Sequence, residues 1–134
     1  MTEDQAFDLI MTQFMSSWNN ATPVAHMNRT FRPEQHKEYA EISMDGQSGG
    51  QESMGAENNR RFEYRGQLVI SVNVDMNKGM NRLNELSQLA LTAFRGKDMG
   101  GIHILFGTIG RSFVKDGAFF SRDVNFEYRY FDVA

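Results

Sequence analysis

The chain has 134 residues, 40% apolar and 23% charged, so it makes one ordinary domain that can bury a core without metals or disulfides. It contains no cysteine, which excludes disulfide frameworks, cysteine-ligated zinc and thiol catalysis. A net charge of −3 leaves no electrostatic footprint for wrapping nucleic acid, and no apolar run approaches the ~20 residues of a membrane span.

Glu3, Asp4 and Asp8 are unlike the basic start of a secretion signal, which points to the cytoplasm. In that compartment the sequons at Asn20 and Asn28 carry no meaning. The first segment reads as a helix. Thr2 and Gln5 have the spacing of a capping box, and Glu3 and Asp4 suit the positive end of a helix dipole. Phe7, Ile10, Met11, Phe14 and Trp18 form an apolar stripe, and Asn19, Asn20 and Pro23 close the helix. Residues 24–27 read as a short strand. Pro33 then excludes a central strand until residues 37–44, where Ala40, Ile42 and Met44 alternate with Tyr39, Glu41 and Ser43.

Residues 45–59 are rich in glycine, with Met54 as the only large apolar side chain, and read as a flexible hairpin loop. The next stretch alternates over about fourteen residues, with Phe62, Tyr64, Leu68, Ile70, Val72 and Val74 on one face. At ~3.3 Å per residue this is a strand of ~45 Å, far longer than the usual five or six residues. It either runs beyond its own domain as a projecting arm or breaks at Gly66 into two short strands. Arg61, Glu63 and Arg65 share one face of that outer half, and Arg60 adds to a local basic excess. Guanidinium forks there suit carboxylates on a protein neighbour.

Residues 77–95 read as the second helix, with Met80, Leu83, Leu86, Ala90 and Phe94 inward and Gly96 just past its end. Gly100-Gly101 makes a turn. Residues 102–106 form a strand that can continue through residues 111–114, and Lys115-Asp116-Gly117 is a hairpin signal. The last strand alternates Val124, Phe126, Tyr128 and Tyr130 with polar residues. Phe119 and Phe120, beside the Gly117 turn, are candidate docking aromatics if exposed and core if buried. The expected fold is α+β: one domain over residues 1–134, two helices packed on a four- to five-stranded, mainly antiparallel sheet, with a long projecting β-hairpin.

Catalytic and ligand motifs are not found. His26, His36 and His103 stand at no metal-ligand spacing, and the run from Asp75 to Gly79 lacks a calcium loop's third oxygen ligand. No serine has a nucleophile-elbow setting, and the glycine run after Asp45 has no following Lys-Ser/Thr to cradle phosphate. No catalytic residue, metal or cofactor is expected.

The order of elements resembles the small tail-terminator (tail-completion) proteins of long-tailed, siphovirus-like bacteriophages. The resemblance runs over nearly the whole chain. It rests on the first helix ending in Trp18-Asn19-Asn20, the segment around Phe31 to Pro33, and the strand Tyr39-Ala40-Glu41-Ile42. It continues through the glycine-rich loop, the residues from Arg61 to Gly66 leading into those from Leu68 to Val74, the helix starting near Gly79, Gly96, and the closing Val124-x-Phe126-x-Tyr128 strand. The resemblance implies a structural, non-enzymatic virion protein, a homo-oligomeric ring of about six copies at the head-proximal end of the tail tube. Such a ring ends tube polymerisation, offers a face to head-completion or neck proteins, and passes genomic DNA through its lumen without specific binding. It is assembled in the host cytoplasm. Another head–tail connector or minor tail protein remains open, as does a cytoplasmic small-molecule-binding α+β domain. The candidate interface residues are Arg60, Arg61, Glu63, Arg65, Met54, Phe119 and Phe120.

Overall fold

The computed structural model describes residues 1–133 except 28, 34–36, 52–54, 56, 58–59 and 77–78, with backbone alone at 45–47, 51 and 133. Its elements run α1 (Glu3–Trp18), β1 (Val24–Ala25), β2 (Glu38–Gln51), β3 (Arg61–Asp75), α2 (Asn81–Phe94), β4 (Asp98–Met99), β5 (Ile102–Lys115) and β6 (Phe119–Val133). The strands form one sheet in the order β1-β2-β3-β6-β5-β4. All neighbours are antiparallel except β1, which lies parallel to β2. The α+β class and the two helices are as expected. The strand number is six, not four to five: the short strand expected at 24–27 is present as β1, and the two-residue β4 is too short for alternation to reveal.

Helix α1 begins with the expected capping box: Thr2 Oγ1 accepts from the Gln5 N–H, and the Gln5 side chain accepts from the Thr2 N–H. It ends at Asn19, whose φ of 48° is the left-handed cap that asparagine tolerates. Its buried stripe is Ala6, Ile10, Phe14 and Trp18, with Phe7 and Met11 on the flanks. Helix α2 starts later than expected. Gly79 has φ +79°, outside a right-handed helix, so the helix opens after Met80 rather than at residue 77. Gly96, at φ +69°, takes up the chain just past its end.

The long strand is a single one. β3 pairs with β2 from Glu38↔Val74 to Gln51↔Phe62, and with β6 from Asp75↔Phe119 to Arg61↔Val133. Fifteen residues at ~3.3 Å give a strand of about 50 Å. Residues 45–51, expected as loop, belong to β2 and pair with β3 through an irregularity between Asp45 and Ser48. The hydrogen-bonding ladder offered by β3 organises a glycine-rich segment that has little side chain to bury. Of the rest of that loop, Gly55 and Glu57 are exposed, and residues 52–54, 56 and 58–59 lie outside the described residues.

Alternation places Ala40, Ile42, Leu68, Ile70, Val72, Val74, Val124, Phe126, Tyr128 and Tyr130 on one face, all buried. Both helices cover this face. Phe14 stacks on Trp18 at 5.2 Å, and Phe94 meets Phe126 edge-on at 5.4 Å. Glycines let aromatic rings lie across neighbouring strands. A Cβ on Gly66 would stand 2.6 Å from Tyr128 Cζ, and one on Gly107 would stand 2.6 Å from Phe126 Cε1. The β5–β6 hairpin turns through Asp116 and Gly117 at φ 54° and 66°, the positive pair a type I′ turn requires.

The opposite face is polar yet partly buried. Ser121 donates to Asn73 Oδ1, Asn73 Nδ2 donates to the Tyr39 carbonyl, and Ser71 donates to Asp123. Lys115 of β5 donates at 2.9 Å to Glu41 of β2, three strands away, so the sheet curls over this cluster.

Candidate functional site

The polar face at the outer end of β3 carries three of the seven residues singled out from sequence. Alternation puts Arg61, Glu63 and Arg65 there in a row, beside Glu127, Arg129 and Phe131 of β6. Arg65 bonds Glu63 and stands 3.6 Å from Glu127. The Arg61 guanidinium lies 3.7 Å from the centroid of the Phe131 ring, a stacked cation–π contact. Arg60 Nε donates to the Gly55 carbonyl at 3.2 Å. These four residues are brought together along one strand and the residue before it, with Glu63 and Arg65 paired inside the chain. Met54 lies outside the described residues.

Phe119 and Phe120 are not free docking aromatics. Phe119 is 5% exposed and meets Tyr39 edge-on at 5.0 Å on the polar face. Phe120 points to the helix face and packs against the core. Strand alternation sends neighbouring residues to opposite faces, and each face is covered at this end. Under the Lys115–Glu41 bridge, burial pushes the Tyr39 hydroxyl above its usual range. Burial works against the Lys115 ammonium, but the hydrogen bond and charge of Glu41 outweigh it and raise its pKa.

The surface that sequence reading missed is the margin of β5. β4 pairs with β5 only at His103 and Ile102. Beyond that, the outer edge of β5 has no strand partner among the described residues. It exposes Phe106 (57%), Ile109 (37%), Phe113 (41%) and Val114 (54%). Register assigns Phe106, opposite Glu127, and Phe113, opposite Ser121, to the polar face; Ile109, opposite Val124, and Val114, opposite Phe120, go to the helix face. Two register shifts break the alternation, between Ile104 and Phe106 and between Ile109 and Ser112. They hide this margin from a periodicity reading, and the signal that was available is apolar residues on both parities around Gly107 and Gly110.

The β2 margin is free over a shorter stretch. β1 pairs with Ala40 and Glu41, and the Met44 N–H donates to Met27 Sδ at 3.1 Å. From 45 to 51 no further strand partner flanks β2 among the described residues. His26, Met27, Arg29 and Phe31 line an open groove of about 240 Å³ against Glu41 and Ile42 of β2, below the roughly 300 Å³ at which small-molecule sites begin. No group of three metal-ligating side chains is found among the described residues. No described helix is long and apolar enough to cross a membrane.

No family model and no curated protein matches the chain. A solved structure whose name states no function is similar to it at 18% identity, over 92% of this chain and 94% of that one, with a TM-score of 0.57. That likeness bears on the fold alone.

Proposed function

We propose that this chain is a structural, non-catalytic protein of a phage tail, closing head-to-tail into a ring of about six copies at the head-proximal end of the tail tube. There it ends tube polymerisation and presents a face to neck or head-completion proteins, with DNA passing through the lumen without specific contacts. The observation that carries the reading is the pair of strand margins, on β2 and on β5, that have no strand partner among the described residues, one of them apolar. Exposed strand edges of this length are normally blocked by charge, proline or covering elements, and those left open serve strand addition. Two different open margins on one chain favour a heterologous contact, which closes into rings when the rotation per subunit permits. The order of elements resembling tail-terminator proteins supplies the setting. In this reading the outer end of β2–β3, with β6 alongside, is the arm that projects past the body, and Arg60, Arg61, Glu63 and Arg65 lie at its contact with a neighbour.

The test is native mass spectrometry with negative-stain imaging over a concentration series, alone and with purified tail tubes of a long-tailed phage. Closed rings of about six copies, binding one tube end and halting its growth, are expected. A chain that stays monomeric under both conditions, or that decorates tubes along their length, refutes the reading.

A further inference from the structure

We propose that the β5 margin of one copy pairs antiparallel with residues 45–51 of β2 in the next copy, so that the sheet runs unbroken around the ring. This pairing rests on the ring reading and specifies the surfaces that meet.

Three observations lead to it. The first is direction. β2, β3, β6 and β5 are successive antiparallel neighbours, so β2 and β5 run opposite ways. A copy rotated about a ring axis therefore presents its β2 antiparallel to β5, the same geometry as every long pair inside the chain. A second copy thus carries the complement that a β5 margin needs.

The second is that the exposed apolar residues of β5 lie on both faces of the sheet: Phe106 and Phe113 on one, Ile109 and Val114 on the other. A body docking onto one face would cover only half of them. A strand laid alongside brings cross-strand neighbours to both faces at once, with paired Cβ atoms ~5 Å apart. The incoming strand offers exposed Ser48 and Gly50, small enough for large side chains to lie across it, and a Cβ on Gly50 would meet nothing within 4 Å. Within the chain, Gly66 and Gly107 already accept rings of the adjoining strand in this way. The charges also agree: residues 45–51 carry Asp45 and no base, and β5 carries the exposed Arg111 and no acid.

The third is the offset between the two free stretches. Ser48, in the middle of one, pairs with Arg65 of β3. Ile109, in the middle of the other, pairs with Val124, which pairs with Ile70. The two centres are thus about five residues apart along the strand direction, or ~17 Å. Each copy contributes four long strands, a width of ~19 Å. Joining the margins staggers each copy by ~17 Å over ~19 Å, which tilts the strands about 40° to the ring axis. Closed sheets have strand tilts of ~35–45°. The offset that would frustrate a flat ribbon is therefore what closure of a ring requires.

The absence of native cysteine makes the pairing directly testable in the full-length chain. Gly50 and Thr108 are exposed, and register places both on the polar face; a Cβ on Gly50 meets nothing within 4 Å. Treated with a short bismaleimide, the Gly50→Cys/Thr108→Cys chain is expected to give a ladder rising to the mass of the ring. Each single variant alone should stay uncrosslinked, and an equal mixture of the two should give a two-chain product only. Phe106→Lys/Val114→Lys, which changes two exposed side chains, is expected to retain its circular dichroism spectrum and to lose the rings. Rings that form without the ladder would overturn the pairing and leave the ring reading standing. A two-chain product from Thr108→Cys alone, which signals β5 meeting β5, overturns the pairing as well. A double variant and wild type that both remain monomeric overturn ring and pairing together.

Discussion

Replacing Gly66 by alanine tests how closely the sheet and its aromatic layer fit. Gly66 lies directly opposite Tyr128 in the β3–β6 ladder, and the Tyr128 ring, 1% exposed, crosses over its Cα. An added Cβ would stand 2.6 Å from Tyr128 Cζ and 3.0 Å from Cε1, and closer still to the hydroxyl. Carbon atoms in contact prefer ~3.5–4 Å, so the ring must move by about 1 Å. The ring is not free to do so, because it stacks on Tyr130 at 6.4 Å, which in turn stacks on Tyr64 at 5.4 Å. Overpacking of this kind costs about 1–3 kcal/mol, and the lower chain entropy of alanine in the unfolded state returns ~0.4–1 kcal/mol. The expected net loss is about 1–2 kcal/mol, a fall in Tm of about 3–8 °C for a domain of this size. Gly50→Ala is the control, with all melts run at dilutions where the chain is monomeric. It makes the same chemical change where a Cβ meets nothing within 4 Å, and should leave Tm unchanged or slightly higher. Thermal melts of wild type, both variants and Gly66→Ala/Tyr128→Phe give the comparison, and removing the hydroxyl oxygen, the atom nearest the added Cβ, in the last should recover part of the loss. A Gly66→Ala chain as stable as Gly50→Ala would refute the close-fit argument.

Two further outcomes follow from buried polar groups. Burial raises the Tyr128 hydroxyl to about 12 from an unfolded value near 10, so the folded chain holds that proton where the unfolded chain has lost it. The resulting stability is fully present below pH ~10 and is lost as pH rises toward 12, by up to about 2–3 kcal/mol. Urea melts through that window should show a shallower decline for Tyr128→Phe, and equal slopes would contradict the assignment. At the other end of the core, Trp18 Nε1 donates to Thr22 Oγ1 at 3.1 Å in a buried site. Thr22→Val keeps the shape and strands that donor, so it should cost about 1–3 kcal/mol in chemical denaturation. A change near zero would mean that the indole finds another acceptor.

Much of the architecture is written in local periodicity. The capping box at Thr2, the single long strand from Arg61, the type I′ turn at Asp116-Gly117 and the buried Val124–Tyr130 alternation all rest on interactions between near neighbours or on strict two-fold alternation. Those patterns survive in a one-dimensional reading because burial on one face selects them residue by residue. Arg61, Glu63 and Arg65 were likewise legible as one row, since period two alone places them together.

What the chain order could not express is which strands become neighbours and which margins remain open. Residues 45–51 carry too little side chain to signal a strand; they become one because β3 offers a ladder beside them. Phe119 and Phe120 look alike in sequence, yet one is sealed under Tyr39 on the polar face and the other is packed on the helix face. The apolar margin of β5 exists only because β4 stops after two residues and bulges turn Ile109 and Phe113 to opposite faces. Near-neighbour chemistry specified the strands and helices. Long-range pairing, which joins residues as distant as Asp75 and Phe119, decided which strand edges stay exposed.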